Sequence, residues 1–297
     1  MADLHVIRDA NASIAELPIG LVAVFLGATS GIGRSTLKQF VQHARAPRVY
    51  IVGRKSTDGR ALSQELQQLN ADAHCEFIEK DVSLVSDTTA VAERVKSQES
   101  RVDLLFLSAG YVSFSGREDT VEGLDACMAT RYYTRIRIIQ QLLPLLNSAA
   151  APRVISVLAA GQESAMHEDD LGLHGNGNYT VQSSALQTAT MQTLAFEHLA
   201  AQNERIAFIH IYPGLVRTAA FSRGGNSAVG LLMRYIVGPL LMTFFASSAE
   251  DVAARVLFYA TNERYSVVNG LPANLDGRAS EVLDVDYLVS RNPQFST

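Results

Sequence analysis

The stretch Gly27-Ala28-Thr29-Ser30-Gly31-Ile32-Gly33 decides how this chain folds. It follows the apolar run Leu21 to Leu26 and opens an amphipathic segment from Arg34 to Val41. Strand, glycine turn, helix is the context a dinucleotide fingerprint needs. Gly27 permits the tight turn, Gly31 lets the backbone approach a pyrophosphate, and Gly33 lets helix and strand pack closely. The free N–H groups and partial positive charge of the helix N-terminus then favour phosphate.

Outward from this turn, strand-like and helix-like runs alternate. Arg48 to Val52, His74 to Ile78, Val102 to Leu107, Arg153 to Leu158 and Arg205 to Ile211 read as strands, with Gly270 to Leu275 as a candidate last strand. Arg60 to Leu69, Leu84 to Lys96, Asp119 to Leu143, Tyr179 to Ala201 and Ala249 to Thr261 read as helices, the third closed by Pro144. The alternation predicts an α/β fold, a doubly wound parallel sheet with helices on both faces. No linker or repeat divides the chain, so residues 1–297 read as one domain with an N-terminal extension over 1–19. Ligands of such sheets bind beyond the carboxyl ends of the strands.

Composition narrows the function. A net charge of -5 and no basic stripe argue against a nucleic-acid binder. Asp3, Arg8, Asp9 and Glu16 leave no signal-peptide run near the start, and two cysteines, Cys75 and Cys127, make no disulfide framework. A reducing, cytoplasmic setting is the expectation. The segment Ala228 to Ala246 is apolar but carries Arg234 and a Gly238-Pro239 break. It reads as part of a lid over a hydrophobic small molecule, spanning about 219–246, rather than as a membrane span. The loop His167 to His174 lacks metal-ligand spacing, and no metal is expected.

Three further motifs give the glycine turn company: Leu107-Ser108-Ala109-Gly110, Asn178-Tyr179, and Tyr212-Pro213-Gly214-Leu215-Val216-Arg217-Thr218. Together they resemble the short-chain dehydrogenase/reductase family over about residues 20–276, and more narrowly divergent members from fungal specialised metabolism. The resemblance implies a Rossmann sheet of order 3-2-1-4-5-6-7, a nicotinamide cofactor, and a homodimer or homotetramer. It assigns Gly27, Ser30, Gly31, Ile32 and Gly33 to the pyrophosphate, and Asp81 and Val82 to the adenine. Ala109 and Gly110 fall below the adenosine, and Pro213, Gly214, Val216 and Thr218 meet the nicotinamide carboxamide. Where an acidic residue would select NADH, this chain has Arg54 and Lys55, with Arg34 in the first helical turn. Cations there suit a 2′-phosphate, so NADP(H) is the expected cofactor.

The catalytic pattern departs from the family. The family tyrosine falls on Tyr179, but the lysine four positions later is Ser183 and no lysine follows Lys96. The strand-five serine falls on Ala159 and the asparagine on Arg131. A lysine charge ~4 Å from a phenol at an effective dielectric of ~20 is worth about 4 kcal/mol, roughly three pKa units. Without it Tyr179 is a poor base and remains a hydrogen-bond or proton donor, with Arg131 a candidate source of positive charge. Arg131 shares a helical face with Arg135, Ile138 and Leu142, so an interface or solvated role stands beside the catalytic one. Three functions stay open: an NADPH-dependent reductase of a lipophilic compound, a non-redox isomerase, cyclase or dehydratase, and a cofactor-binding protein without catalysis.

Overall fold

The computed structural model describes residues 3–216, 247–268, 271–272 and 287–289. The chain begins with α1 (Leu4–Ala12), β1 (Val22–Leu26), α2 (Gly31–His43), β2 (Arg48–Gly53), α3 (Ser56–Leu69), β3 (His74–Glu79), α4 (Asp87–Lys96) and β4 (Leu104–Leu107). It continues with α5 (Ala126–Met128), a π-turn (Ala129–Tyr133), α6 (Thr134–Asn147), β5 (Arg153–Val157), α7 (Val181–Gln202), β6 (Ala207–Ile211) and α8 (Ala249–Thr261). The short strands β7 (Val267–Val268), β8 (Leu271–Pro272) and β9 (Tyr287–Val289) follow. The sheet order is β3-β2-β1-β4-β5-β6-β9, with β1 to β6 parallel. The expected doubly wound architecture and the order of the first six strands are therefore present.

Alternation along β1 explains why both faces carry helices. Ala23 and Phe25 join a buried cluster with Leu37 and Phe40 of α2, Leu62 of α3 and Val256 of α8. Val22, Val24 and Leu26 join the opposite cluster with Val91 of α4, Ile138 of α6 and Phe196 of α7. A strand apolar on both faces needs cover on both. The residues before β1 are built into this packing, since α1 lies on α8: Ile7 and Ile14 are buried and Asn11 donates to the Ala254 carbonyl at 2.8 Å.

Three sequence expectations need correction. Of the expected last strand over 270–275 only Leu271–Pro272 is described, and it is not in the main sheet. Leu271–Pro272 pairs with Val267–Val268 as a separate ribbon, and the edge beside β6 is taken by β9, which runs antiparallel. The expected helix from Asp119 starts only at Ala126, because Asp125 caps it by accepting the Met128 N–H at 2.9 Å. Its end lies beyond Pro144, at Asn147. Pro144 and Gln140 are both exposed, so water can take the carbonyl that the missing N–H leaves free.

Candidate active site

A cavity of about 320 Å³ opens at the carboxyl ends of β1, β4 and β5. One side is the glycine turn. Gly27 has φ +94°, and a Cβ there would meet Ala109 and Ser108 backbone atoms at under 3.0 Å. A Cβ at Gly33 would meet the Gly27 carbonyl oxygen and the Ser108 hydroxyl. The turn is therefore closed against β4, with Ser108 Oγ donating to the Gly27 carbonyl at 3.2 Å. Ser30 starts α2 without a side-chain cap, so no side-chain cap engages the first N–H groups of the helix beside the cavity.

The site residues expected from sequence divide in three. Gly27, Ser30, Gly31, Ile32, Gly33, Arg54, Asp81, Val82, Ala109, Gly110, Arg131, Pro213 and Val216 all line this one cavity. Arg34, Lys55, Gly214 and Tyr179 are not among its lining residues. Thr218 and the 219–246 segment lie outside the described residues, as do Leu231, Leu232, Tyr235 and Ile236 within it.

Two of the expected cations are placed differently from the sequence reading. Arg34 is exposed and pairs with Glu65 of α3 at 2.6 Å, and Lys38 reaches the same carboxylate at 2.7 Å. The two cations, Lys38 first, hold the Glu65 carboxyl below its usual range. An exposed pair of this kind is worth at most about 1 kcal/mol, so Arg34 is exchangeable rather than locked. Lys55 is exposed at the start of α3. Arg54 does line the cavity, 3.9 Å from Asp81 Oδ2. The other Asp81 oxygen accepts from Ser83 N–H and Oγ.

At the opposite end the π-turn sets the chemistry. Arg131 lies in it and is only 6% exposed, which removes the solvated reading. Its Nη2 donates to the Tyr111 carbonyl at 2.8 Å and its Nη1 to Ser184 Oγ at 3.4 Å. Arg135, one turn on, is buried completely against the sheet. It donates to Ser156 Oγ at 2.7 Å and to the carbonyls of Ala109 at 2.6 Å, Val157 at 3.0 Å and Thr130 at 3.3 Å. Burial, with Arg131 nearby, lowers the Arg135 pKa to about 9.

Ser184, whose hydroxyl accepts from Arg131, is also among the groups that act on the Tyr179 phenol. Burial, followed by the Asp125 and Cys127 charges, pushes the phenol far above the usual tyrosine range. It is a donor at neutral pH, not a base. The family lysine position has become structural: Ser183 and Thr180 form a capping box, with Ser183 N–H to Thr180 Oγ1 at 2.9 Å and Thr180 N–H to Ser183 Oγ at 2.8 Å. Ala159 brings no side-chain donor, and its N–H is held by buried His210. Ser164 is exposed and bonds Thr190 instead.

Sequence reasoning passed over Arg135, Asp125, Ser184 and His210. A buried arginine on the sheet face of an amphipathic helix is a usable signal, and Arg135 gave it. The others depend on tertiary neighbours. The acidic loop is ordered by its own carboxylate: Asp170 accepts from His174 N–H, Gly175 N–H and Asn178 Nδ2. The Asn178 bond, then the two N–H bonds, hold its carboxyl far below the usual range. Among the described residues no group of three or more His, Cys, Asp or Glu could hold a metal, and no helix is long and apolar enough to cross a membrane.

A family model described as short chain dehydrogenase matches residues 21–226. The NmrA-like family domain-containing oxidoreductase notO of Aspergillus sp. (strain MF297-2) is 42% identical over 273 residues, covering 91% of this chain and 79% of its own. An oxidoreductase of Emericella nidulans is 38% identical over 283 residues, covering 95% and 84%. Among solved structures, the Pseudomonas aeruginosa RhlG/NADP active-site complex superposes with a TM-score of 0.62 at 22% identity, covering 86% of this chain and 95% of that one. At that identity the likeness is one of fold.

Proposed function

The chain belongs to the short-chain dehydrogenase family, and from that premise we propose an NADP(H)-dependent oxidoreductase that reduces a lipophilic small molecule of fungal specialised metabolism. One observation carries the reading: a single cavity runs from the uncapped N-terminus of α2 to the buried guanidinium of Arg131. The fit to a dinucleotide rests on the glycine turn that lines the cavity, where a Cβ at Gly27 or Gly33 would collide with the neighbouring backbone and push the turn out of place. The α2 N–H groups would take the pyrophosphate, Asp81 and Val82 the adenine, and Pro213 and Val216 the nicotinamide end. Arg54 would take the 2′-phosphate, with Arg34 free to leave Glu65 and join it. When bound, the cofactor supplies the hydride.

The chain's own residues supply the rest. Arg131, itself largely shielded from solvent, stabilises negative charge that develops on a substrate oxygen. The phenol of Tyr179 is kept protonated by burial and acts near Ser184, the hydroxyl that accepts from Arg131. Reduction suits such a site better than alcohol oxidation, because Tyr179, held protonated, is a poor base. The same reading takes residues 1–297 as one domain, assembled as a homodimer or homotetramer in the cytoplasm.

Ser183 and Ala159 favour a second reading, a non-redox isomerase, cyclase or dehydratase on the same fold. Purified protein incubated with NADPH and extracts of its own pathway separates the two. A reductase consumes one NADPH per product, whereas an isomerase or cyclase conserves both substrate mass and cofactor. Calorimetry showing no binding of NADPH would sink the reductase reading.

A further inference from the structure

Two arginines meet at the inner end of the cavity and neither makes an ion pair among the described residues. Every partner of Arg135 is a neutral carbonyl or hydroxyl. Arg131 has the same kind of partner, the Tyr111 carbonyl and the Ser184 hydroxyl. A guanidinium carries five N–H donors, so Arg131 has three with no protein acceptor among the described residues. It is 6% exposed and lines the cavity. Asp125, the buried carboxylate of this region, is already engaged by the N–H groups of Met128 at 2.9 Å and Glu118 at 3.0 Å. Two buried cations without a counter-ion are costly, and the cost falls when an anion occupies the space they face. Val112, Val157, Leu158 and Val216 supply apolar lining to the same cavity, beside Tyr111 and Thr130.

We propose that the substrate is an apolar acid and that Arg131 receives its carboxylate, with Arg135 strengthening the positive field from behind. The inference rests on reading this cavity as the substrate site, and it deepens that reading by naming a chemical class. Planar guanidinium suits planar carboxylate through paired N–H donors, which a lone ammonium cannot reproduce. The lowered pKa of Arg135 agrees with an uncompensated positive pair.

The test is calorimetric titration of benzoate, and of isosteric uncharged benzamide, into the protein with and without saturating NADPH. Benzoate is expected to bind at least about ten times more tightly than benzamide. Arg131→Gln should abolish that gap, and Arg131→Lys should restore part of it, while NADPH affinity stays at the parent value. Equal binding of benzoate and benzamide by the parent overturns the proposal, and so does absence of benzoate binding. It is also overturned if Arg131→Gln weakens NADPH and spares benzoate, because the guanidinium then faces a cofactor phosphate. Should Arg131→Gln fail to fold, the benzoate-to-benzamide ratio in the parent and in Arg131→Lys still decides. Absence of NADPH binding defeats the cofactor reading alone, since the cofactor-free titration judges the acid independently.

Discussion

The backbone N–H of Ala159 donates to Nε2 of buried His210 at 3.2 Å. That bond sets the ring's tautomer: Nδ1 carries the proton and faces Thr193 Oγ1 at 2.9 Å, and Thr193 in turn donates to Glu163 at 2.5 Å. The end of β5, where the family places its serine, is thereby fixed from below by a neutral imidazole.

Acid stability follows from this ring. Burial, then the positive charge of Arg135, lowers the His210 pKa to about 3, whereas an unfolded histidine titrates near ~6.5. Below ~6.5 the unfolded chain takes up a proton that the folded chain refuses until about pH 3. The contribution is therefore complete above ~6.5 and declines by about 1.4 kcal/mol per pH unit as pH falls through that window. Urea denaturation at pH 7.5 and 5.0 should show a steeper loss for the parent than for His210→Gln. Equal slopes for the two proteins would refute the assignment.

Gly27→Ala tests the cradle. The added methyl meets the Ala109 backbone, and φ +94° is itself unfavourable for alanine. The strain is expected to cost about 1–3 kcal/mol and to weaken NADPH binding as the turn opens. Denaturant melts and calorimetry read the two effects separately; unchanged values in both would show that the turn has slack the structure does not contain.

Cofactor choice should rest on Arg54. NADPH is expected to bind more tightly than NADH, and Arg54→Asp to erase or reverse the preference by about 1.5–3 kcal/mol. Equal affinities for both cofactors in the parent protein would remove the basis for this assignment.

Restoring the family lysine should not restore the family's chemistry cheaply. Ser183→Lys removes one half of the capping box of α7, and should lower stability by about 0.5–2 kcal/mol. A variant as stable as the parent in a thermal melt would mean the box contributes nothing.

Tyr179 is held protonated by burial and by the Asp125 charge, so its contribution is as a donor. NADP-dependent alcohol oxidation at neutral pH should be slight. Tyr179→Phe, which alters a residue outside the cavity lining, should lower turnover of the true substrate less than loss of Arg131 does. Arg131→Ala should lower it too, with cofactor binding and fold retained. Full activity in the double variant would place the chemistry elsewhere.

The amino-acid sequence by itself determined the alternation of strands and helices and the glycine turn, because these depend on local periodicity and on residues next to one another in the chain, whereas the strand order was implied by the resemblance to a family. Apolar runs of the right length make buried strands, and Gly27 to Gly33 need only their flanking strand and helix. Aligned motifs also located the altered positions Ala159 and Ser183, since counting along a helix or strand is enough for that. What those positions do was decided only by tertiary structure. Ser183 is a cap because Thr180 turns back to meet it, and Arg34 is paired because α3 brings Glu65 within 2.6 Å. The antiparallel edge strand at 287–289 and the burial of Arg131 and Arg135 are likewise contacts between segments far apart in the chain. Charge and hydrogen-bonding capacity can be read from residue type, but the dielectric around a charge and the partner that meets it depend on packing.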